Sequence, residues 1–223
     1  MTRSVAIDIG DVLHAAISAP SAVEDHDDAT ERILDAAAEL FSSHGIRRCS
    51  VEEIARHSGV GRTTVYRRFE NRNQIVHAVL ARECRRFFTS IIASTDADQR
   101  LEDQVVEAFL TGLHAAETSV LTDLVRTQPE LLRVVTVEAA PVISAATGVL
   151  VAAFGPVAGP RERQQVAAVA ELLVRLAISV VVSGPGVVPM RDDAASRRAL
   201  HALLDPLLVP LGELRELRGR GVP

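Results

Sequence analysis

The sequence predicts an all-α protein that contains a small N-terminal three-helix unit and a larger helical C-terminal region. Alanine, leucine, valine, glutamate and arginine dominate, and aromatic residues make up only 3% of the chain. That balance favours helix over sheet. Apolar residues recur with a helical period instead of alternating as in a strand. With 223 residues, 48% of them hydrophobic, the chain can fill a substantial core.

The first predicted helix begins at about residue 29. Ile33, Ala37, Leu40 and Phe41 fall on one face of this amphipathic segment. Gly45 follows the last apolar position, and glycine commonly ends a helix. We therefore expect a helix of about four turns that buries one side.

The second and third helices are short and are joined by a glycine turn. Ser50 and Glu53 have the spacing of a capping box, which predicts a helix starting there. Gly59 can adopt the left-handed conformation that a tight turn needs. Val65 and Phe69 then supply the apolar contacts of the next short helix. The three elements together form a compact unit with a tight turn.

Longer helices are predicted beyond this unit. Asn71 is placed to cap a fourth helix that runs to about Ile92. The rest of the chain is punctuated by proline and glycine and predicts five further helices, at 101–116, 118–127, 130–153, 161–183 and 192–209. The 161–183 segment has little polar surface toward its end, which predicts a helix buried on most sides.

Charge is distributed unevenly. All 24 basic residues are arginine, and the formal net charge is -5. Residues 30–90 hold eleven arginines against seven acids, whereas residues 1–29 hold one arginine against six acids. We interpret residues 1–28 as a weakly ordered acidic extension, 29–76 as the N-terminal unit and 77–223 as a helical regulatory and dimerisation region.

The composition argues against several classes of protein. Cys49 and Cys84 are too few for a disulfide framework or a zinc site, so we expect no metal and no cofactor. Asp8 and Asp11 interrupt what would be the apolar core of a signal peptide. Prolines and glycines break the longest uncharged run, at 139–160. These features predict a cytoplasmic protein without a membrane partner, and the absence of a nucleophile and base pair predicts that it is not an enzyme.

Two short helices joined by a glycine turn, the second rich in arginine, form the helix-turn-helix arrangement. Its second helix can lie in the major groove of DNA. The outward positions of that helix are Arg62, Thr63, Thr64, Tyr66 and Arg67. Arginine can bond two guanine acceptors at once, and threonine can touch a thymine methyl group. The positive segment of the chain is therefore predicted to bind DNA.

Residues 29–76 resemble the DNA-binding domain of the TetR family of transcriptional regulators. The resemblance rests on ILDAAAELFSSHGI, on SVEEIARHSGVGRTTVYRRF and on Asn71-Arg72. It implies that Ser50, Tyr66 and Arg72 contact the DNA backbone. It also assigns the recognition positions to Arg62, Thr63, Thr64, Tyr66 and Arg67. Thr63, Arg68 and Glu70 depart from the usual residues of the family, so the operator sequence does not carry over.

For the rest of the chain the resemblance implies a helical domain that dimerises through its last two long helices and binds a small ligand. Polar residues among the middle helices are candidates for a mostly apolar pocket, namely Thr111, His114, Glu117, Arg126 and Glu138. The expected function is a homodimeric repressor that binds a pseudo-palindromic double-stranded operator and is released by an apolar or amphipathic ligand. Two alternatives remain open: a regulator controlled by a protein partner or by no effector, and a helical ligand-binding protein without DNA activity.

Overall fold

The computed structural model describes residues 17, 27–94, 96, 99–153, 159–184, 186–190 and 194–219. These residues form ten α-helices, one 3-10 helix at Ile46–Arg48 and no strand, which confirms the predicted all-α class. The helices are α1 Asp28–His44, α2 Val51–Ser58, α3 Arg62–Arg68, α4 Arg72–Ala93, α5 Leu101–Glu117, α6 Val120–Thr127, α7 Pro129–Thr136, α8 Ala140–Ala153, α9 Pro160–Ser183 and α10 Ala194–Gly219.

The chain divides into two compact units. The first comprises Met1–Arg86 and Ser119–Val142, and the second comprises Phe87–Thr118 and Ile143–Pro223. Helix α4 therefore passes from one unit to the other at residue 86. The predicted functional boundary at residue 76 lies inside the same helix and stays a prediction.

In the first unit α1 packs against α2 and α6, while α3 packs against α2. Its core contains the completely buried side chains of Ile33, Phe41, Ile54, Val65 and Ile75. These are the apolar positions that the helical period selects, so burial of one face on each helix holds the small unit together.

Side-chain caps determine where the first helices begin. Asp27 is the N-cap of α1 and accepts a hydrogen bond from the Thr30 amide at 3.0 Å. The predicted capping box of α2 is present, with Ser50 and Glu53 each bonding to the other's backbone amide. Each such cap typically contributes about 1 kcal/mol.

The core of the second unit lies between α5, α9 and α10. Helix α5 packs against both of the other two. The buried side chains are mostly leucine and valine, among them Leu110, Val169, Leu173, Leu200 and Leu208. By length and composition α9 could also span a membrane. However, one of its faces, including Val169 and Leu173, belongs to this core.

The predicted single helix at 130–153 is wrong, because the segment forms two helices. Helix α7 ends at Thr136 and α8 begins at Ala140. Pro141 is responsible, since its ring clashes with the carbonyl four residues earlier and it has no amide proton to donate to that carbonyl. At the break the amides of Val137 and Glu138 both donate to the Arg133 carbonyl, at 2.9 Å each.

The predicted end of the last helix at residue 209 is also wrong, because α10 continues to Gly219 and passes through Pro206 and Pro210. Both prolines are exposed, whereas Leu204, Leu208 and Leu211 are buried on the opposite side. Burial of these apolar side chains keeps the helix continuous through both prolines.

The predicted acidic extension at 1–28 falls almost wholly outside the described residues. Within it, Ile17 is helical and only 3% exposed. Asp27 and Asp28 belong to the start of α1.

Candidate nucleic-acid interface

Helix α3 presents a polar face outward and an apolar face inward. Val65 is completely buried, and Phe69, at the C-cap, is 9% exposed. Arg62, Thr63 and Arg67 are exposed, Tyr66 is 41% exposed and Thr64 is partly buried. The five predicted recognition residues therefore lie on one short helix, and four of them have exposed side chains.

The turn before α3 fixes the direction of this helix. Gly59 has φ 66° and ψ 15°, the left-handed conformation that glycine adopts without strain. Val60 is buried directly after it and anchors the turn to the core. The predicted role of Gly59 in the turn agrees with this geometry.

Arg62, the first residue of α3, is held from two sides. One of its terminal nitrogens lies 2.5 Å from a carboxylate oxygen of Glu52 on α2. Its guanidinium carbon also lies 5.5 Å from the centre of the Tyr66 ring, within the range of a cation–π contact. The arginine is thus pre-positioned in the absence of DNA.

Arg68 belongs to the structure of the unit rather than to its outward face. It pairs with Asp27, the N-cap of α1, and its Nε atom is buried. The pKa of Asp27 is lowered mainly by hydrogen bonds from the Thr30 side chain and amide. The charges of Arg68 and Arg67 lower it to a smaller extent. One carboxylate therefore caps α1 and also anchors the end of α3.

Arg72 points into the connection between α1 and α2. Its Nε donates to the Cys49 carbonyl at 2.7 Å, and one terminal nitrogen donates to the Ile46 carbonyl. Sequence reasoning did not find this contact, because it joins residues more than twenty positions apart. Arginine has five N–H donors, so these two bonds leave others for a phosphate. The predicted backbone contact of Arg72 stays a prediction.

Ser50 is partly buried, and its hydroxyl donates to Glu53 at 2.8 Å. Its amide donates to the same carboxylate oxygen, also at 2.8 Å. These bonds lower the pKa of Glu53 below its usual value. The predicted phosphate contact of Ser50, which is likewise untested, would require the hydroxyl proton to turn away from Glu53.

Two family models match this chain. The model described as bacterial regulatory proteins, tetR family, matches residues 33–79, and that described as the C-terminal domain of the bacterial tetracyclin repressor matches residues 96–206. Together they cover well over half of the 223 residues. The chain belongs to the TetR family. It is therefore a transcriptional regulator with a helix-turn-helix, in a family of regulators and not of enzymes.

Relatives with the same organisation span most of the chain. An uncharacterised HTH-type transcriptional regulator of Mycobacterium tuberculosis is 27% identical over 201 residues, which is 87% of this chain and 93% of the relative. The HTH-type transcriptional regulator AlkX of the same species is 27% identical over 164 residues, covering 70% and 75% of the two chains.

Solved structures share the fold. The TetR family repressor AlkX from a Dietzia strain, described as implicated in biodegradation of n-alkanes, has a TM-score of 0.56 and 26% identity, covering 81% of this chain and 98% of that one. A SmeT–triclosan complex has a TM-score of 0.53 and 21% identity, covering 78% and 90%. The latter likeness concerns the fold alone.

The candidate ligand residues of this TetR protein lie in both compact units. Thr111, His114 and Glu117 belong to the second unit, whereas Arg126 and Glu138 belong to the first. His114 and Glu117 are exposed, 3.8 Å apart. Glu138 pairs with Arg133. The role of these five residues in ligand binding stays a prediction.

Metal binding and thiol chemistry depend on the groups present among the residues that the structure describes. They contain no group of three or more histidine, cysteine or acidic side chains that could hold a metal ion. Cys49 and Cys84 are free and buried, and burial raises the pKa of both thiols, that of Cys84 to about 12. A thiol with a raised pKa is a poor nucleophile at neutral pH.

Proposed function

We propose that this TetR regulator is a cytoplasmic homodimeric repressor whose outward face of α3 binds a pseudo-palindromic operator and whose second unit binds a small apolar or amphipathic ligand. The observation that supports this proposal most directly is that α3 has one buried face and one exposed face. Val65 is completely buried, while Arg62 and Arg67 are exposed on the surface of the three-helix unit. A helix of this kind can enter the major groove with arginine side chains directed at base edges.

Dimerisation is supported by apolar side chains left uncovered on the second unit. Leu172 of α9 is 57% exposed, and Leu203 and Leu207 of α10 are 55% and 43% exposed. Large exposed leucines on two neighbouring helices favour burial against a second copy. A two-fold dimer would present two α3 helices to half-sites about 34–36 Å apart, or a multiple of that distance.

An apolar ligand class is supported by two observations. The Dietzia AlkX repressor, 26% identical over most of the chain, is described as implicated in n-alkane biodegradation. In the second unit Thr147 has a buried hydroxyl oxygen without a hydrogen-bond partner. A buried hydroxyl without a partner can bond to the one polar end of an otherwise apolar molecule. We therefore choose long-chain alkanes, alcohols and fatty acids as probes.

Ligand and operator would oppose each other through a coupling free energy of about 1–3 kcal/mol. The ligand would favour a dimer state whose two α3 helices no longer match the groove spacing. Because such coupling is reciprocal, the operator must weaken the ligand by the same factor. The loss of operator affinity caused by the ligand and the loss of ligand affinity caused by the operator should therefore be the same factor.

The test begins with selection of genomic fragments by the purified protein, followed by fluorescence anisotropy with the enriched duplex. A saturating probe from the alkyl series should then weaken operator binding about 5–150-fold at fixed salt. A probe that saturates the dimer without changing operator affinity would contradict the release mechanism. A lack of any DNA binding at low salt would contradict the DNA-binding proposal itself.

A second candidate is a regulator controlled by a protein partner or by no effector. The exposure of His114 and Glu117 favours it, because exposed side chains do not line a closed pocket. Native mass spectrometry of the dimer with the same alkyl series separates the two candidates. No retained probe, together with tight operator binding, supports the second one.

A further inference from the structure

Glu52 occupies an unusual place for an acidic side chain. It lies in the first turn of α2, two residues after Ser50, and its side chain is 48% exposed. Its carboxylate oxygen is 2.5 Å from Arg62, the first residue of α3. A carboxylate beside a phosphate-binding surface repels DNA, so its position there calls for a compensating role.

We propose that Glu52 is a specificity-determining positioning residue, which holds Arg62 in the orientation that reads a base and prevents it from binding a phosphate instead. The inference rests on the proposed contact of Arg62 with DNA. It adds to that proposal a residue on α2 which acts through Arg62.

The local electrostatics of α3 require a negative charge from outside the helix. Arg62 is at the positive end of the helix dipole, which disfavours a cation. Helix α3 has no acidic residue in its first turn, and Gly61 at its N-cap provides no side-chain bond. Glu52 therefore supplies from α2 the charge that α3 lacks. This explains why the pair forms although both side chains are more than 40% exposed.

Two restraints leave Arg62 few orientations. Glu52 holds one edge of the guanidinium group, and the Tyr66 ring is 5.5 Å from its centre. The remaining N–H groups stay free to donate to a base. An arginine already held in place loses less side-chain entropy on binding its target. A phosphate that bound the same guanidinium would lie close to the Glu52 carboxylate, and the repulsion between the two negative charges disfavours that contact.

The test replaces Glu52 with glutamine, which keeps the length of the side chain and removes its charge. Anisotropy is measured with the selected operator and with a scrambled duplex over a series of salt concentrations. For Glu52→Gln we expect tighter binding to the scrambled duplex and a salt slope steeper by about one released counterion, because Arg62 gains a phosphate contact. Discrimination between the two duplexes should fall roughly five- to tenfold.

Glu39→Gln is the matched control for net charge. Glu39 is an exposed carboxylate on α1 that also pairs with a basic partner, His57, at 2.7 Å. It should leave the discrimination between operator and scrambled duplex unchanged. If Glu39→Gln and Glu52→Gln have equal effects, the overall charge of the domain is responsible and the positioning role is wrong.

A double-mutant cycle with Arg62→Ala isolates the pair. In the Arg62→Ala background, Glu52→Gln should no longer change discrimination; a full effect there would overturn the inference. Arg62→Ala by itself tests the underlying proposal. If it leaves operator binding unchanged, Arg62 does not read DNA and both statements fail, whereas loss of affinity without coupling to Glu52 overturns only the inference. Thermal unfolding of each variant verifies that the fold is intact.

Discussion

At the scale of single residues, the arginines around α3 have different environments. Arg62 and Arg67 are exposed, whereas Arg68 pairs with Asp27 and Arg72 bonds to backbone carbonyls. The same residue type thus supplies candidate contacts to DNA and internal supports for the unit. Replacing each arginine should therefore change DNA binding, stability or both, according to its partners.

Arg72→Ala should destabilise the protein in addition to weakening DNA binding. Its bonds to the Cys49 and Ile46 carbonyls hold the connection between α1 and α2. Loss of charged hydrogen bonds to partly buried carbonyls costs about 2 kcal/mol or more. Urea unfolding measures this loss, with Arg67→Ala as the exposed control that should stay within about 0.5 kcal/mol of wild type. Equal unfolding midpoints for the two variants would contradict a structural role for Arg72.

Cys84 should make stability fall at alkaline pH. Burial raises the pKa of its thiol to about 12 in the folded protein, against about 8.5 in an unfolded chain. The contribution of the thiol to the free energy of unfolding is therefore complete below about pH 8.5. It is lost as the pH rises toward 12, because in that range only the thiol of the unfolded chain ionises.

The measurement is urea unfolding of wild type and Cys84→Ala at pH 8 and pH 10.5. The alanine variant is less stable at pH 8 because of the cavity it creates. The difference between the two proteins should narrow by on the order of 2 kcal/mol at the higher pH. A constant difference would show that the thiol ionises equally in both states.

At the scale of helices, a network of charges joins α1 to α4. Arg82 is 5% exposed, and its guanidinium group lies 3.0 Å from Glu31, 2.9 Å from Asp35 and 3.1 Å from Glu83. Arg86 contacts the same carboxylates from an exposed position. The network fixes the orientation of α4 against the first helix of the DNA-binding unit.

Arg82→Met should therefore destabilise the first unit by about 2 kcal/mol, because it removes the buried charge that bonds to all three carboxylates and leaves them paired with the exposed Arg86. Arg86→Met, at an exposed position of the same network, should cost less than about 1 kcal/mol. Urea denaturation at low salt measures both free energies, because urea, unlike guanidinium chloride, does not screen the ion pairs. The account of α4 would be wrong if the two substitutions had the same cost.

Sequence reasoning succeeded where a helix is specified locally. The capping box of α2 and the left-handed Gly59 depend on residues only a few positions apart, and both are present. It failed at Pro141, where the apolar period continued through a residue that interrupts the helix. It failed again at Pro206 and Pro210, where burial of Leu208 and Leu211 maintains a helix despite the prolines.

The same distinction applies to the candidate interface. The outward residues of α3 follow from the helical period and from the resemblance to the TetR family. The partners of Arg62, Arg68 and Arg72 lie 10, 41 and up to 26 positions away in the chain. No local pattern indicates such contacts, because they depend on how the helices pack. Sequence alone could therefore identify the face but not the supports beneath it.

At the scale of the whole molecule, charge is separated along the chain. The net charge is -5, while residues 30–90 have four more arginines than acids. An acidic remainder disfavours indiscriminate binding of DNA elsewhere on the surface. The number of chains in the proposed oligomer then determines how many of these positive segments can contact one operator.

Leu203→Glu should disrupt the proposed dimer. The substitution introduces a charge at a position of α10 where the leucine side chain is 55% exposed. In the proposed dimer a second copy of the chain would bury that charge. Sedimentation equilibrium should show a monomer, and operator affinity should fall by more than tenfold because the second half-site is lost. Val187→Glu is the control, since Val187 is fully exposed in the connection before α10. A dimeric Leu203→Glu variant would move the interface away from α10.

The most direct test of DNA reading by α3 is selection of bound fragments from a genomic library, performed in parallel with wild type and Arg67→Ala. Wild type should enrich a palindromic sequence, and Arg67→Ala should lose its preference at symmetric positions within each half-site while retaining salt-dependent binding. An unchanged preference in Arg67→Ala would move base reading away from this side chain. The absence of any enriched sequence with wild type would contradict the account of α3 as a recognition helix.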